Sequence, residues 1–323
     1  MKIAITGASG FIGNVLVPLL LAEGHTLRAL TRSSRKEDSI TFVTGDMLQE
    51  ECLKELVAGV DVVIHLAAII SIDDLADEDT FRVNTSGTRL LLATAKTAGV
   101  KRFIHISSVA AFNQFPYEER MDESRSPANA TEHNYDTSKA ISQGIVLAAN
   151  DTDFEVIVLA PSAVTGPFDH KPSLLGKAML NIYKGKIPAL FPGGVDFVDV
   201  RDVAAAIVSS LTRGTPGRVY LLSGQWVSLR SLSEEIGIVK GKKISLAIMP
   251  LWLVFGMLPL VRFWSRITGG PPYYTKQSVY NLIYSNQKID HSRAQSELQF
   301  HPRPFSETVR DTITWFRQNG YLK

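Results

Sequence analysis

A glycine-spaced loop near the start of the chain constrains the fold more than any other feature of the sequence. Residues 6–13 read Thr-Gly-Ala-Ser-Gly-Phe-Ile-Gly and follow the short apolar run Ile3–Ile5. After the first glycines, apolar residues recur at helical spacing, at Phe11, Ile12, Val15, Leu16, Leu19 and Leu20. A strand, a glycine loop and a helix in this order leave free N–H groups at the helix N-terminus, which suits a pyrophosphate. The alternative is plain turn chemistry between two elements.

A second motif, Tyr-Asp-Thr-Ser-Lys at residues 135–139, opens a later helical run. Tyr135 and Lys139 are four residues apart and therefore share a helix face. A tyrosine hydroxyl has a pKa of about 10, and a nearby ammonium group favours the phenolate, so we expect Lys139 to lower the pKa of Tyr135. An accidental pair of surface residues is the alternative for this motif taken alone. Together with the glycine loop, the pair indicates proton transfer beside a bound dinucleotide.

Strand-like and helix-like runs alternate over the first half of the chain. This predicts an α/β fold, a doubly wound parallel sheet covered by helices on both faces. The predicted strands are Lys2–Thr6, Thr26–Leu30, Thr41–Val43, Val62–Leu66, Arg102–Ser107 and Glu155–Leu159. The two clearest predicted helices are Thr80–Ala98 and Tyr135–Ala149. Beyond about residue 160 prolines interrupt the alternation, which predicts a smaller C-terminal lobe.

Composition excludes several classes of protein. The 323 residues are 45% hydrophobic and 20% charged, with a net charge of +2, which is typical of a globular protein without affinity for nucleic acid. Cys52 is the only cysteine, so we predict neither an internal disulfide nor a metal site. Met1 and Lys2 lead straight into the first predicted strand, which leaves no room for a signal peptide and predicts a cytoplasmic protein.

Further motifs follow the glycine loop in order along the chain. They are Asp46–Met47, His65–Ala68, Val83–Asn84, Gly87–Thr88, Ile106–Ser108, Pro161 and Gly166–Pro167. With these motifs nearly the whole chain resembles the short-chain dehydrogenase/reductase superfamily, in its extended branch with the T-G-x-x-G-x-x-G loop. The resemblance implies a Rossmann fold, with residues 1–160 as the NADP-binding core and residues 161–323 as mainly a substrate-binding lobe. About residues 195–225 would return from that lobe to the core.

The resemblance also implies roles for particular residues. Ser108, Tyr135 and Lys139 would be catalytic, and Lys139 would also hold the ribose of the nicotinamide. The residues that would bind the cofactor are Gly7, Ser9, Gly10, Phe11, Ile12, Gly13, Arg32, Asp46, Met47, Leu66, Ala67, Ala68, Asn84, Lys139, Pro161 and Val164.

Two serines, Ser107 and Ser108, stand at the end of a predicted strand, where an open parallel sheet binds its ligands. Side chains alternate along a strand, so only one of the two should face the site. The family pattern of serine before alanine or valine favours Ser108; the alternative is that both merely satisfy backbone groups. His65 and His105 lie in apolar runs, and we interpret both as core histidines rather than bases.

The end of the second predicted strand bears on the choice of cofactor. An NAD site places a carboxylate there for the ribose 2′-hydroxyl, whereas an NADP site places an arginine for the 2′-phosphate. Here Arg32 comes just past the strand, and no carboxylate appears before Glu37. NADP(H) is therefore favoured over NAD(H); the alternative is a solvated basic turn.

Two stretches depart from the pattern of nucleotide-sugar epimerases and dehydratases. Residues 160–167 read Ala-Pro-Ser-Ala-Val-Thr-Gly-Pro, without the Arg, Asn and Tyr common in those enzymes. Residues 192–202 are a contracted form of the stretch that helps those enzymes hold a nucleotide diphosphate, and they lack the arginine that lies inside that stretch. Both departures resemble the dihydroflavonol reductase and 3β-hydroxysteroid dehydrogenase subgroup, whose substrates are apolar ring alcohols and ketones. The side chains expected to touch such a substrate are Asn113, Phe112, Trp252 and Phe255.

We therefore expect an NADP(H)-dependent oxidoreductase that interconverts a secondary alcohol and a ketone on a mostly apolar cyclic small molecule. Two alternatives stay open: a nucleotide-sugar epimerase or dehydratase, and a non-catalytic regulator that senses dinucleotides. The sequence leaves the oligomeric state open, with a homodimer as one option.

The most apolar stretch outside the predicted sheet is Met249–Val261. A membrane-spanning helix needs about 20 apolar residues, so this stretch is too short to span. We favour a buried helix that roofs the substrate pocket; the alternative is a segment resting on a membrane surface.

Overall fold

The structure, a computed structural model, describes residues 1–69, 78–129, 134–257 and 276–322. The strands are β1 Lys2–Thr6, β2 Thr26–Thr31, β3 Ile40–Thr44, β4 Val62–His65, β5 Arg102–Ile106, β6 Glu155–Pro161, β7 Ala163–Thr165, β8 Ala189–Leu190, β9 Gly194–Asp199, β10 Arg218–Leu222, β11 Gln225–Ser228 and β12 Ala247–Ile248. The helices are α1 Phe11–Ala22, α2 Glu50–Val57, α3 Glu78–Arg82, α4 Thr88–Thr97, α5 Asn134–Ala148, α6 Leu174–Tyr183, α7 Val200–Ser209, α8 Leu229–Lys240, α9 at residues 251–257, α10 Lys276–Ile283, α11 Ser292–Leu298 and α12 Phe305–Gln318.

A parallel sheet of seven strands, in the order β10-β6-β5-β4-β1-β2-β3, forms the centre of the fold. The predicted doubly wound α/β fold is confirmed. The predicted strand β1 has the observed bounds; β3 is one residue longer at each end than predicted, and the other four predicted strands differ from the observed ones by one or two residues at the C-terminal end.

Two apolar layers cover the sheet because neighbouring side chains along a strand point to opposite faces. Ile3 and Ile5 of β1 belong to the core formed with α1, α7 and α11. Ala4, between them, belongs to the core formed with α2, α4 and α5. Strand β4 is buried along its whole length, as expected for an interior strand of a parallel sheet.

The C-terminal half contributes both to this sheet and to a smaller lobe. Strand β10 pairs with β6 at the edge of the central sheet, and α7 lies against α1. The smaller lobe has its own core, with α6, α8 and α12 packed together, and carries the sheets β11-β9-β7 and β12-β8. The boundary at residue 160 stays a prediction.

The helix predicted over Thr80–Ala98 is not regular. A π-helical turn, Val83–Gly87, separates α3 from α4. The hydroxyls of Thr85 and Thr88 donate to the carbonyl oxygens of Phe81 and Asn84, at 2.7 Å each. Side-chain hydroxyls compete with backbone N–H groups for these acceptors, which accounts for the irregular turn.

Candidate active site

The loop between β1 and α1 accepts only glycine at two positions. Gly7 has a φ of 77°, and a Cβ there would lie 2.8 Å from the backbone nitrogen of Ala67. A Cβ on Gly13 would lie 2.3 Å from the carbonyl oxygen of Ala8. Both contacts are with backbone, so neither can be relieved by moving a side chain. The loop is thereby held tightly between the N-terminus of α1 and the segment after β4.

A cleft of about 420 Å³ runs along this loop to the Tyr-Lys pair, and we call it the loop cleft. Its lining residues are Gly7, Gly10, Phe11, Ile12, Gly13, Leu66, Ala68, Ile106, Ser107, Ser108, Tyr135, Lys139, Pro161, Ser162, Ala163, Val164, Ser173, Leu174 and Leu175. The glycine loop at one end suits a pyrophosphate, and the proton-transfer pair lies at the other. The residues present fit a nicotinamide dinucleotide.

The loop cleft brings together most of the residues predicted to bind a cofactor. Those that line it are Gly7, Gly10, Phe11, Ile12, Gly13, Leu66, Ala68, Lys139, Pro161 and Val164. Ser162 and Ala163 were missed although they stand between two predicted residues. Ser173–Leu175, at the start of α6, come from a distant part of the chain, and no motif marked them.

The remaining predicted cofactor residues lie outside the lining of the loop cleft. Ser9 lines a neighbouring cavity with Arg35, and Arg32 is exposed at the end of β2. Met47 is buried, and its Cβ would lie 3.2 Å from a Cβ on Gly87. Ala67 contacts Gly7 through its backbone, and Asp46 accepts a hydrogen bond from the Leu48 N–H at 3.0 Å.

Asn84 is 3% exposed and has a structural task in this arrangement. Its Oδ1 accepts from the Ile69 N–H at 2.9 Å, and its Nδ2 donates to the Ile69 carbonyl at 3.0 Å. Nδ2 also lies 3.2 Å from the Ser138 hydroxyl, on α5 between Tyr135 and Lys139. Asn84 therefore ties the segment after β4 to the helix that carries Tyr135 and Lys139.

Lys139 is 4% exposed, and its Nζ donates to the Ile106 carbonyl at the end of β5, at 3.0 Å. Burial lowers the pKa of Lys139 to about 8. For Tyr135, burial and then the Asp136 carboxylate raise the pKa above its ordinary value, while a hydrogen bond with the Ser108 side chain opposes the rise. The expectation that Lys139 lowers this pKa is not met, because its ammonium group is directed to Ile106. Tyr135 is therefore a protonated phenol at neutral pH and a weaker acid than an ordinary tyrosine.

The two serines after β5 point in different directions, as the alternation of a strand requires. The Ser107 hydroxyl is buried and donates to Gln143 Oε1 on α5 at 2.8 Å. Ser108 Oγ accepts from the Ala110 N–H at 3.1 Å and is hydrogen-bonded with Tyr135. Ser108 is therefore the serine hydroxyl beside the phenol.

His65 and His105 are almost fully buried, and neither lines the loop cleft. His65 lies between two hydroxyls, with Nδ1 2.7 Å from Thr6 and Nε2 2.9 Å from Thr88. Burial lowers the pKa of His65 to about 3 and that of His105 well below its usual range. Neither ring gains a proton at neutral pH.

A second cavity, of about 440 Å³, adjoins the loop cleft, and we call it the aromatic cavity. Its lining residues are Ser108, Val109, Ala110, Gln114, Phe115, Asp136, Ser162, Ala163, Val195, Tyr280, Asn281, Tyr284 and Ser285. Phe115 and Tyr280 lie 5.9 and 5.5 Å from Tyr284, between ring centroids. Among the described lining residues, Asp136 alone carries a charge at neutral pH. This cavity suits a neutral molecule with flat apolar surface.

None of the four predicted substrate contacts lines the aromatic cavity. Phe112 is 3% exposed and packs into the core beside α5, because the backbone there turns it inward. Asn113 Oδ1 accepts from the Phe115 N–H at 2.9 Å, and Trp252 is 74% exposed. Phe255 comes nearest, since its ring centroid lies 5.4 Å from that of Tyr280.

The apolar stretch Met249–Val261 is described only as far as residue 257. Val254 of α9 is buried against Phe191 and Val279. The prediction of a pocket roof falls partly on residues outside the described ranges, and the membrane alternative is untested. Within those ranges, no helix combines the length and the apolar character needed to cross a bilayer.

The fold and the loop cleft define a dinucleotide-binding α/β protein with a Tyr-Lys pair beside the glycine loop. Residues 3–223 match the NAD dependent epimerase/dehydratase family, and the chain belongs to this family. It is an NAD(P)-dependent enzyme of the extended short-chain dehydrogenase/reductase type, as the sequence motifs predict.

Relatives with different activities match the chain over nearly its full length. Sterol demethylase protein B of Methylococcus capsulatus is 30% identical over 100% of both chains. A Synechocystis protein described as a dihydroflavonol 4-reductase is 31% identical over 99% of this chain and 95% of its own. A dTDP-glucose 4,6-dehydratase of Mycobacterium tuberculosis is 27% identical over 99% and 94%. The crystal structure of gox2253 has a TM-score of 0.83 and 29% identity, covering 100% of this chain and 99% of that one.

Proposed function

We propose that the protein is an NADP(H)-dependent oxidoreductase that interconverts a secondary alcohol and a ketone on a mostly apolar cyclic substrate. One observation supports the proposal most strongly: the aromatic cavity meets the loop cleft at Ser108, whose hydroxyl is hydrogen-bonded to the Tyr135 phenol. A ketone held in the aromatic cavity would have a hydrogen-bond donor and an acid at its oxygen.

The residues at this junction have complementary tasks in the proposed reaction. When bound, the nicotinamide supplies the hydride. Ser108 positions and polarises the carbonyl oxygen, and Tyr135 donates the proton that this oxygen needs as it becomes an alcohol. Lys139 lies one turn further along α5 and lines the same cleft, where it would hold the ribose. At neutral pH the Tyr135 phenol is protonated, as reduction requires; its raised pKa makes it a weaker acid, so it would donate only as the carbonyl oxygen gains negative charge during hydride transfer.

A nucleotide-sugar substrate is supported by the relatives named dTDP-glucose 4,6-dehydratase, the Mycobacterium tuberculosis protein among them. A diphosphate needs cationic partners, and the described lining of the aromatic cavity has a carboxylate, Asp136, and no lysine or arginine. Arg201, in the stretch that differs from the sugar-nucleotide pattern, is engaged by Asp199 and Asp311, with N–O distances of 2.8 Å each. These charges favour the neutral ring substrate.

The preference for NADP(H) is supported by the arginines of β2 and the turn after it. The Nη1 atom of Arg28 donates to the carbonyl oxygens of Glu55 and Ala58 at the end of α2, at 2.8 Å each. Because of these hydrogen bonds, Arg28 is not the arginine proposed for the 2′-phosphate. Arg32 is exposed at the strand end, where a 2′-phosphate would lie, and Arg35 lines the neighbouring cavity with Ser9. The cytoplasmic location and a homodimer remain predictions from the sequence.

Net cofactor consumption tests the proposed function. Purified protein is incubated with NADPH and a panel of steroid ketones, flavanonols, simple cyclic ketones, aldehydes and nucleotide sugars. We expect NADPH oxidation, with one alcohol formed per NADPH, for ring ketones. Conversion of a nucleotide sugar without net NADPH oxidation would instead support the epimerase or dehydratase alternative.

A further inference from the structure

Ser162 is a buried polar side chain at the junction of the two cavities that the proposed reaction does not use. It lies between β6 and β7 and lines both the loop cleft and the aromatic cavity. The residue is 8% exposed, and no described residue donates a hydrogen bond to its Oγ. Buried hydroxyl oxygens in proteins nearly always have hydrogen-bond partners, so an acceptor without a donor, on a residue that lines two cavities, points to a ligand.

A buried carboxyl group stands behind this hydroxyl. Asp196, on β9, is 5% exposed, and its Oδ1 accepts from the Gly224 N–H at 2.9 Å. Burial raises the pKa of Asp196 to about 6, and the hydroxyl of Ser162 and the Gly224 N–H oppose that rise. At neutral pH Asp196 is a carboxylate that can accept a hydrogen bond from the Ser162 hydroxyl, which leaves the lone pairs of the Ser162 oxygen without a donor among the described residues.

The aromatic cavity, rather than the loop cleft, is the side from which a partner would come. Val195, next to Asp196 on β9, lines the aromatic cavity, and no residue of β9 lines the loop cleft. Ser285 holds this wall in place, since its hydroxyl donates to the Gly194 carbonyl at 2.8 Å and accepts from Trp226 Nε1 at 2.9 Å. Strand β9 thus borders the aromatic cavity through Val195 and does not border the loop cleft.

We propose that Ser162 is a specificity-determining residue that accepts a hydrogen bond from a hydroxyl group of the substrate close to the reacting ketone, with Asp196 as its positioning residue. The inference rests on the proposed function and narrows it to hydroxylated ring ketones. Ser108 donates a hydrogen bond to the carbonyl oxygen of the substrate, and Ser162 accepts one from the neighbouring hydroxyl group. The two serines therefore orient the substrate ring at two points. The cofactor carboxamide could supply a similar N–H donor, and the experiment separates these sources.

The test compares two ketones that differ by one hydroxyl, 2-hydroxy-1-tetralone and 1-tetralone, in NADPH oxidation by wild type, Ser162→Ala and Ser162→Thr. We expect wild type to prefer the hydroxyketone. Ser162→Ala should raise KM for the hydroxyketone by about tenfold or more, because a buried donor is left unpaired, and leave 1-tetralone nearly unchanged. Ser162→Thr keeps a hydroxyl and should restore much of the preference.

Two further variants separate a specific role from a structural one. Asp196→Asn should weaken the preference for the hydroxyketone without changing KM for 1-tetralone. Ser233→Ala removes a buried hydroxyl in α8 that donates to the Arg230 carbonyl at 2.7 Å, far along the chain from both cavities, and should change neither constant. Thermal unfolding of each variant verifies that it is folded.

The outcomes are distinct. A rise in KM for NADPH with both ketones affected equally would assign Ser162 to the cofactor and overturn the inference, as would an unchanged preference in Ser162→Ala. Absence of NADPH oxidation with every ketone of the panel would refute the proposed function, whereas turnover of 1-tetralone as efficient as that of the hydroxyketone would overturn this inference alone.

Discussion

The loop cleft and the aromatic cavity share Ser108, Ser162 and Ala163 but are built in different ways. The loop cleft is formed largely by backbone and small side chains at the ends of neighbouring parallel strands. The aromatic cavity is formed by large side chains from the segments after β5 and around α10. Backbone geometry thus fixes the ligand class of the first, whereas individual side chains select the ligand of the second. One family can in this way hold the same cofactor and act on different molecules.

The largest expected effect lies where the two regions meet. Tyr135→Phe removes the proton donor and keeps the ring, so turnover should fall by about 100-fold or more while affinity for NADPH changes little. Steady-state kinetics and NADPH fluorescence titration measure the two quantities. Turnover retained by the variant would remove Tyr135 from the reaction.

The next effect should be confined to the loop cleft. Gly13→Ala forces a Cβ to 2.3 Å from the Ala8 carbonyl oxygen, so the loop must shift, and we expect NADPH affinity to fall by at least about tenfold with a lower melting temperature. Gly144→Ala is the matched control, because nothing lies within 4 Å of a Cβ at this helical position. The control should bind NADPH normally and gain about 0.5–1 kcal/mol of stability. Equal affinity in both variants would show that the loop does not hold the dinucleotide.

A smaller effect should distinguish the two cofactors. Arg32→Ala should raise KM for NADPH by about tenfold and leave KM for NADH nearly unchanged, since a charged contact with phosphate contributes about 1.5–3 kcal/mol. KM for NADPH is also measured for Arg35→Ala, and a rise in this variant would show that Arg35 contacts the 2′-phosphate as well. A wild-type preference for NADH would instead make Arg32 an ordinary surface residue.

The smallest effect should be confined to the aromatic cavity. Tyr284→Ala removes a ring that lies 5.5 Å from both Tyr117 and Tyr280, so KM should rise about fivefold for multi-ring ketones and less for cyclohexanone. KM for NADPH should not change, and Tyr284→Phe should behave like wild type. A loss that is equal for large and small ketones would indicate a general disturbance of the fold.

Sequence patterns predicted the loop cleft well because its determinants are local. Glycine spacing marks the loop, a four-residue interval places Tyr135 and Lys139 on one helix face, and strand alternation separates Ser107 from Ser108. Strand bounds were predictable to one or two residues for a similar reason, since buried parallel strands are continuous apolar runs.

The aromatic cavity could not be predicted in the same way because tertiary packing assembles it. Tyr280, on α10, and Tyr284, just after it, come from far along the chain, and nothing in their local sequence connects them with Phe115. Phe112, three residues before Phe115, is buried in the core instead. The pKa of Tyr135 was misjudged for a related reason, since helix spacing does not reveal that the Lys139 ammonium group bonds the Ile106 carbonyl.

Isotope transfer tests the central claim most directly. The protein is supplied with NADPH deuterated at C4 of the nicotinamide and with a cyclic ketone that it turns over, and the product is examined by mass spectrometry and NMR. The account predicts one deuterium on the new carbinol carbon and one NADPH consumed for each alcohol formed. An isomerised or dehydrated product without deuterium, and with the NADPH pool unchanged, would contradict it.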